Sequence, residues 1–150
     1  MVQNPISGVR EYGTGPASTM REGHVFQLVD LGVLQLKESA AEYKKFTPNK
    51  AGRIIGIYAV VEEATTDADA DGTIVAEVSG TAVTGGVITI ADTAAGATAA
   101  VAGKVLQGTA ITALNTFNDG DHLNIAKTVT NAFANGSVRI LMLLELYTNG

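Results

Sequence analysis

The run 73–92, TIVAEVSGTAVTGGVITIAD, narrows the fold more than any other part of the chain. Apolar residues alternate with small or hydroxylated ones in two stretches, the period of a half-buried strand. Two consecutive glycines, Gly85 and Gly86, separate Val83-Thr84 from Val87-Ile88. Both can take positive φ at little cost, as the type I′ turn of a two-residue hairpin requires. The run therefore predicts a hairpin looped at Gly85-Gly86, with Thr84 opposite Val87, Val83 opposite Ile88 and Thr81 opposite Ile90. In that register Val83, Ile88 and Ile90 share one face, and Thr84 and Thr89 the other. A ribbon greasy on one side and hydroxylated on the other is half of a sandwich.

The remaining segments extend the pattern. Residues 25–36, VFQLVDLGVLQL, read as two short strands broken at Gly32, with Asp30 just before the break. In 38–45, ESAAEYKK, Ser39 and Glu42 stand at capping-box spacing, which predicts one or two helical turns. Residues 54–61, IIGIYAVV, are apolar on both faces, as in a central strand covered on both sides, and Gly56 inside them marks a bulge or a close backbone approach. Of the 23 residues in 91–113, nine are alanine, and this stretch reads as loop with a short strand near 104–107. Asn118-Asp119-Gly120-Asp121 is a turn, 122–130 a strand, 131–136 another turn. The last strand is 137–147, with Val138, Ile140, Met142, Leu144 and Leu146 on one face and Arg139 and Glu145 on the other. Short strands punctuated by turns, with no helices long enough for βαβ units, define an all-β protein.

A length of 150 residues fits one domain, 24–150, behind an extended arm, 1–23, rich in Gly and Pro. Residues 1–53 hold seven Lys/Arg against five Asp/Glu, and 54–150 hold three against ten. A mildly basic leader on an acidic body points to a leader that touches something other than its own body. No dense basic patch interleaved with aromatics is present, so nucleic acid is not an expected partner. No window of about 20 residues is wholly apolar, and no membrane span is expected. The start lacks the basic and apolar regions of a signal peptide, so the protein is expected to work where it is made, or in an assembly built there.

Organised chemistry is hard to find. With no cysteine there is neither a disulfide framework nor a thiolate nucleophile. Asp67, Asp69 and Asp71, followed by Gly72, copy the start of an EF-hand loop, but its twelfth position is Val78, with Glu77 one residue early. No metal site is expected: these aspartates are only weak candidate oxygen ligands for calcium and read as a solvated acidic hairpin tip. Residues 96–104 fail as a P-loop, since Thr98 holds the first glycine's position and Val105 the hydroxyl's. His24 and His122 lack a carboxylate or nucleophile at a motif spacing, and Glu62 and Glu63 point to opposite faces. Asn135-Gly136-Ser137 reads as a turn, not as a glycosylation site. Absence of Trp and a count of four Tyr and four Phe argue against a lectin's aromatic platform. No catalytic residue and no cofactor are expected, and the chain reads as a non-enzyme.

Five runs carry a resemblance. FTPNKAGRIIGIYAVV (46–61) resembles the first core strand of small virion proteins of tailed bacteriophages, and TAVTGGVITI (81–90) looks like their hairpin. AAG (94–96), ALNT (113–116) and NDGDHLNI (118–125) follow in the same order, so the similarity covers about 46–147. The resemblance implies a capsid decoration, or cement, protein with a jelly-roll-like antiparallel sandwich. It further implies a homotrimer on the outer capsid surface of the virion, made in the host bacterial cytoplasm, that bridges subunits of the major capsid protein. The family offers no catalytic residues to carry over. Within the arm, Arg10, Tyr12 and Arg21 are the candidate capsid anchors, because Arg and Tyr are favoured at interfaces. The alternatives are a head-fibre or tail-associated module that binds the host surface, and a small jelly-roll enzyme such as a trimeric nucleotide hydrolase.

Overall fold

A computed structural model describes residues 23–37, 42–66, 69–91 and 100–148, with the side chains of 42 and 43 left aside. The arm 1–22, Asp67 and residues 92–99 therefore lie outside the described residues. Among the described residues ten strands form two antiparallel sheets. They are β1 (His24–Gln35), β2 (Glu42–Phe46), β3 (Gly52–Glu63), β4 (Asp71–Val78), β5 (Thr81–Ala82), β6 (Ile88–Ala91), β7 (Val105–Gln107), β8 (Thr116–Phe117), β9 (Leu123–Asn131) and β10 (Ser137–Tyr147). The front sheet runs β1-β10-β3-β7, with β8 also on β3; the back sheet runs β2-β9-β4-β5, with β6 also on β4.

The pairings nest. β1 pairs with β10 and β2 with β9; β3 takes β7 and β8, and β4 takes β5 and β6. First strand meets last, second meets second-last, and the innermost pair closes at a tight turn. That is one long antiparallel ribbon wound into two sheets, the jelly-roll arrangement. Alternation along each strand supplies the core. Val138, Ile140, Met142 and Leu144 of β10 face Ile74, Ala76, Ile88, Leu123 and Ile125 of the back sheet, all fully buried. Lys127 also points inward from β9. Its Nζ donates to the carbonyls of Leu36 at 2.7 Å and Gln35 at 3.2 Å, tying the end of β1 to the opposite sheet.

Four expectations change. The two-residue hairpin turn is not Gly85-Gly86 but Ser79-Gly80, whose φ values of 48° and 82° are both positive. It sets Val78 opposite Thr81 and Glu77 opposite Ala82. Residues 83–87 then leave the edge of β4, and the chain returns with Ile88 opposite Ile74, so Val83 does not face Ile88 nor Thr81 Ile90. The excursion pairs with 109–113 instead: Gly86 donates to the Thr109 carbonyl, Thr109 to Val87, Thr84 to Ala113 and Thr112 to Thr84. The expected faces survive, with Val83, Ile88 and Ile90 buried and Thr84 and Thr89 exposed, because both segments hang on β4 with the same parity.

Of the expected helical turns, 38–41 lie outside the described residues and the rest is strand β2 over Glu42–Phe46, since pairing to β9 satisfies backbone groups that an isolated turn would leave open. Strand β1 is continuous across the expected break, and Leu31 is an extra residue in its ladder, between Asp30 opposite Leu141 and Gly32 opposite Ile140. Strand β3 is central in the front sheet but, among the described residues, covered on one face only, leaving Ile55, Tyr58 and Val60 half-buried.

Candidate interaction surface

The face of the front sheet that no other described element covers can be built from the register. On β10 the outward positions are Arg139, Leu141, Leu143, Glu145 and Tyr147. On β1, Leu28 lies opposite Leu143, Phe26 opposite Glu145 and His24 opposite Tyr147. On β3, Tyr58 lies opposite Leu141 and Val60 opposite Arg139, and Val105 of β7 lies opposite Val60. Residues directly opposite in an antiparallel pair share a face, so these side chains form one surface. Its centre is apolar. Phe26 is 64%, Leu28 56% and Val105 59% exposed, with Leu141, Leu143, Tyr58 and Val60 half-buried beside them. The Tyr58 ring lies over Gly56, its hydroxyl 3.1 Å from where a Cβ would stand.

Ion pairs frame both ends. At one, the Glu145 side chain is only 6% exposed. His24 Nδ1 lies 2.6 Å from its Oε1, and Arg53 Nε donates to its Oε2. An ionised carboxylate only accepts, so Nδ1 carries the hydrogen. The His24 hydrogen bond foremost, and then Arg53, hold the Glu145 carboxyl below its ordinary range, against the opposing effect of burial. The Tyr147 ring meets His24 at 5.0 Å between centroids, tilted by 51°. At the other end Arg139 bridges the strands, donating from Nε to Glu62 at 2.7 Å and from an Nη to Asp30 at 3.0 Å. Asp30 also accepts the Gly32 amide at 2.7 Å, and that bond, with Arg139, lowers its pKa.

The sequence-derived candidates are placed differently. Arg10, Tyr12, Arg21 and Asp67 lie outside the described residues. Asp69 is exposed, while Asp71 starts β4 and accepts the Asn131 amide at 2.9 Å. Among the described residues no group of three or more His, Asp or Glu is arranged to hold a metal ion. His122 is half-buried, its carbonyl accepting the Ser79 amide, and the adjacent Asp121 caps the 118–121 turn through Asn118 N at 2.7 Å. Asn135 accepts from the Thr66 amide and hydroxyl at 2.9 and 3.1 Å, a turn contact. Sequence reasoning missed the His24–Glu145–Arg53 cluster and the face it borders. One signal was there: a strand apolar on both faces, in a chain with too few strands to cover both.

No family model matches the chain, and no curated protein matches it. Among solved structures, a chain of the Cyanophage Pam1 capsid asymmetric unit matches with 18% identity over 87% of this chain and 91% of that one, at a TM-score of 0.46.

Proposed function

We propose that this is a structural virion protein of a tailed bacteriophage, which decorates the outer capsid surface and stabilises it by bridging major capsid protein subunits. The observation that carries the reading is the rigid apolar face of the front sheet. An exposed apolar patch of several side chains on a fully paired sheet marks a surface that works by being covered. Such a protein needs no reacting group, only contact area repeated over many lattice sites, where multivalency makes modest contacts sufficient. The runs that carry the phage resemblance fall on the body: 46–61 leads through β3, 81–90 spans β5 and β6, and 118–125 is the turn into β9. The arm, with Arg10, Tyr12 and Arg21, is assigned a capsid contact in addition to that face. Its root is fixed, since the Thr148 amide donates to the Gly23 carbonyl beside the start of β1.

Two measurements test this. Quantitative mass spectrometry of purified virions should find hundreds of copies, in fixed ratio to the major capsid protein. A dozen or fewer would instead favour the head-fibre or tail reading, and absence from the particle would remove both. Full-length protein should co-sediment with undecorated capsids, and protein lacking residues 1–22 should not, while melting at the same temperature. Equal binding by both would overturn the role given to the arm.

A further inference from the structure

We propose that Asn135-Gly136 is a self-modification site. The folded protein converts Asn135, through a cyclic imide closed on the Gly136 nitrogen, into isoaspartate and aspartate, with water as the only other reactant. The proposal does not depend on the capsid reading. It rests on how the connection between β9 and β10 holds the reacting atoms.

The side-chain oxygen of Asn135 is clamped. The Thr66 amide donates to it at 2.9 Å and the Thr66 hydroxyl at 3.1 Å. A backbone N–H needs an acceptor, so the atom that faces Thr66 is Oδ1 and not Nδ2. Both nitrogens that must change partners are untied. Among the described residues neither Asn135 Nδ2 nor the Gly136 amide makes a hydrogen bond. The Gly136 carbonyl, by contrast, accepts the Leu36 amide at 2.9 Å. The fold also demands glycine at this position. Its φ is +104°, and a Cβ would stand 3.0 Å from Leu36 Cδ1 and 3.4 Å from the Glu63 carbonyl oxygen. No side chain at 136 therefore shields the attacking nitrogen.

The chemistry uses this arrangement directly. The Gly136 nitrogen gives up its proton to solvent hydroxide and attacks Asn135 Cγ. A bond forms between that nitrogen and Cγ, and the electron pair of the C=O bond moves onto Oδ1. Both Thr66 donors already point at the oxygen where this charge develops, as in an oxyanion hole. When the carbonyl reforms, the bond from Cγ to Nδ2 breaks, and Nδ2 takes a proton from water and leaves as ammonia. Water then opens the imide. Attack at the main-chain carbonyl of residue 135 gives isoaspartate, and attack at Cγ gives aspartate. One water is consumed and one ammonia released, with no oxidant or reductant. Isoaspartate puts an extra methylene into the main chain just before β10, where Gly136 ties to Leu36 and Ser137 pairs with Glu63. It also adds a negative charge to a chain whose net charge is already -5. The product is thus a form with a looser join between β1 and β10.

Peptide mapping by mass spectrometry tests this on the full-length protein, incubated at pH 8 in ¹⁸O-water so that only conversion during the incubation is scored. Asn135 should convert about tenfold or more faster in the native protein than in the same chain unfolded in urea, because only the fold supplies the Thr66 donors. Thr66 is exposed, so Thr66→Val should fold normally. It should slow the native rate by about tenfold, less than the hundredfold of a dedicated oxyanion hole because the Thr66 amide remains. Thr66→Ser should keep the wild-type rate, and all three chains should convert equally in urea. The isoaspartate form, separated by anion exchange, should melt below the unmodified protein. A native rate equal to or slower than the unfolded rate, a Thr66→Val rate equal to wild type, or equal melting of the two forms would overturn the proposal.

Discussion

Replacing Gly85 with alanine probes the contact that the excursion 83–87 makes with 109–113. The backbone at Gly85 has φ +87°, and a Cβ there would stand 2.0 Å from the Ala110 carbonyl oxygen, 2.9 Å from its carbon and 3.1 Å from Ile111 Cα. These are backbone atoms, so no rotamer change relieves the clash. Either the 109–113 segment retreats or the excursion does. Retreat breaks at least two of the four backbone hydrogen bonds that join them, a loss of about 1–3 kcal/mol at the net value of such bonds. Holding a non-glycine residue at this φ costs about 1–2 kcal/mol more. Gly85→Ala should therefore destabilise the protein by about 2–5 kcal/mol in all. Gly80→Ala is the matched control: its φ is +82° and nothing lies within 4 Å of the added Cβ. It should lose only the conformational part, about 1–2 kcal/mol. Urea unfolding followed by tyrosine fluorescence and far-UV circular dichroism measures both, with midpoints compared at equal slope. A Gly85→Ala midpoint equal to that of Gly80→Ala would show that the 109–113 segment yields freely, and would refute the reasoning that Gly85 is required by this close approach.

Two other substitutions report on buried polar groups. The Glu145 carboxyl titrates below its ordinary value of 4.5 in the folded protein. The stability it contributes is therefore present above pH 4.5 and is lost as pH falls through the lower folded-state value; melting temperatures at pH 7, 5, 4 and 3 should fall less steeply for Glu145→Gln than for wild type, and parallel acid limbs would contradict the assignment. Lys127→Met keeps the buried stem but removes the ammonium that serves the Gln35 and Leu36 carbonyls. It should cost about 2–4 kcal/mol in urea unfolding, the range for charged hydrogen bonds plus stranded acceptors, and a neutral outcome would mean that water reaches those carbonyls.

What was legible in the sequence was parity. The inward set of β10, the inward Val83, Ile88 and Ile90, the 118–121 turn and the short strand at β7 all follow from period-two alternation and from turn residues, which act within a few positions of themselves. What was not legible depended on distant partners. Ser79 gave no sign that it would adopt positive φ, because the Val78–Thr81 and Glu77–Ala82 pairs impose that conformation and its hydroxyl gains Asp121 at 3.1 Å. The 38–45 segment has helical propensity, but pairing to β9 decides the state of its second half. His24 and Glu145 are 121 residues apart and Arg53 and Glu145 92, so no local spacing could announce their cluster. It exists because nested pairing brings the first strand and the last together.

The same pairing explains why apolar residues stand outside at all. Leu34 and Leu36 point into the core at the end of β1. On an unbroken strand the same parity would carry Phe26, Leu28 and Asp30 inward, burying two large side chains but stranding a carboxylate. The extra residue at Leu31, secured by Gly32 at φ +84° and by the Asp30–Gly32 hydrogen bond, reverses the parity. Asp30 then reaches Arg139 at the surface, Val29 and Leu31 take the inward places, and Phe26 and Leu28 turn outward. A second extra residue, Ile55, makes the matching reversal on β3, between Ile54 opposite Leu144 and Gly56 opposite Leu143. It sets Arg53 beside Glu145 at one end of the strand and Tyr58, Val60 and Glu62 on the same outer face at the other. Two bulges flanking β10 thus place both the ion pairs and the apolar centre on one side. Bulges that re-aim side chains are features a fold retains for what they present, and here they present a face that is complete only when another protein surface covers it.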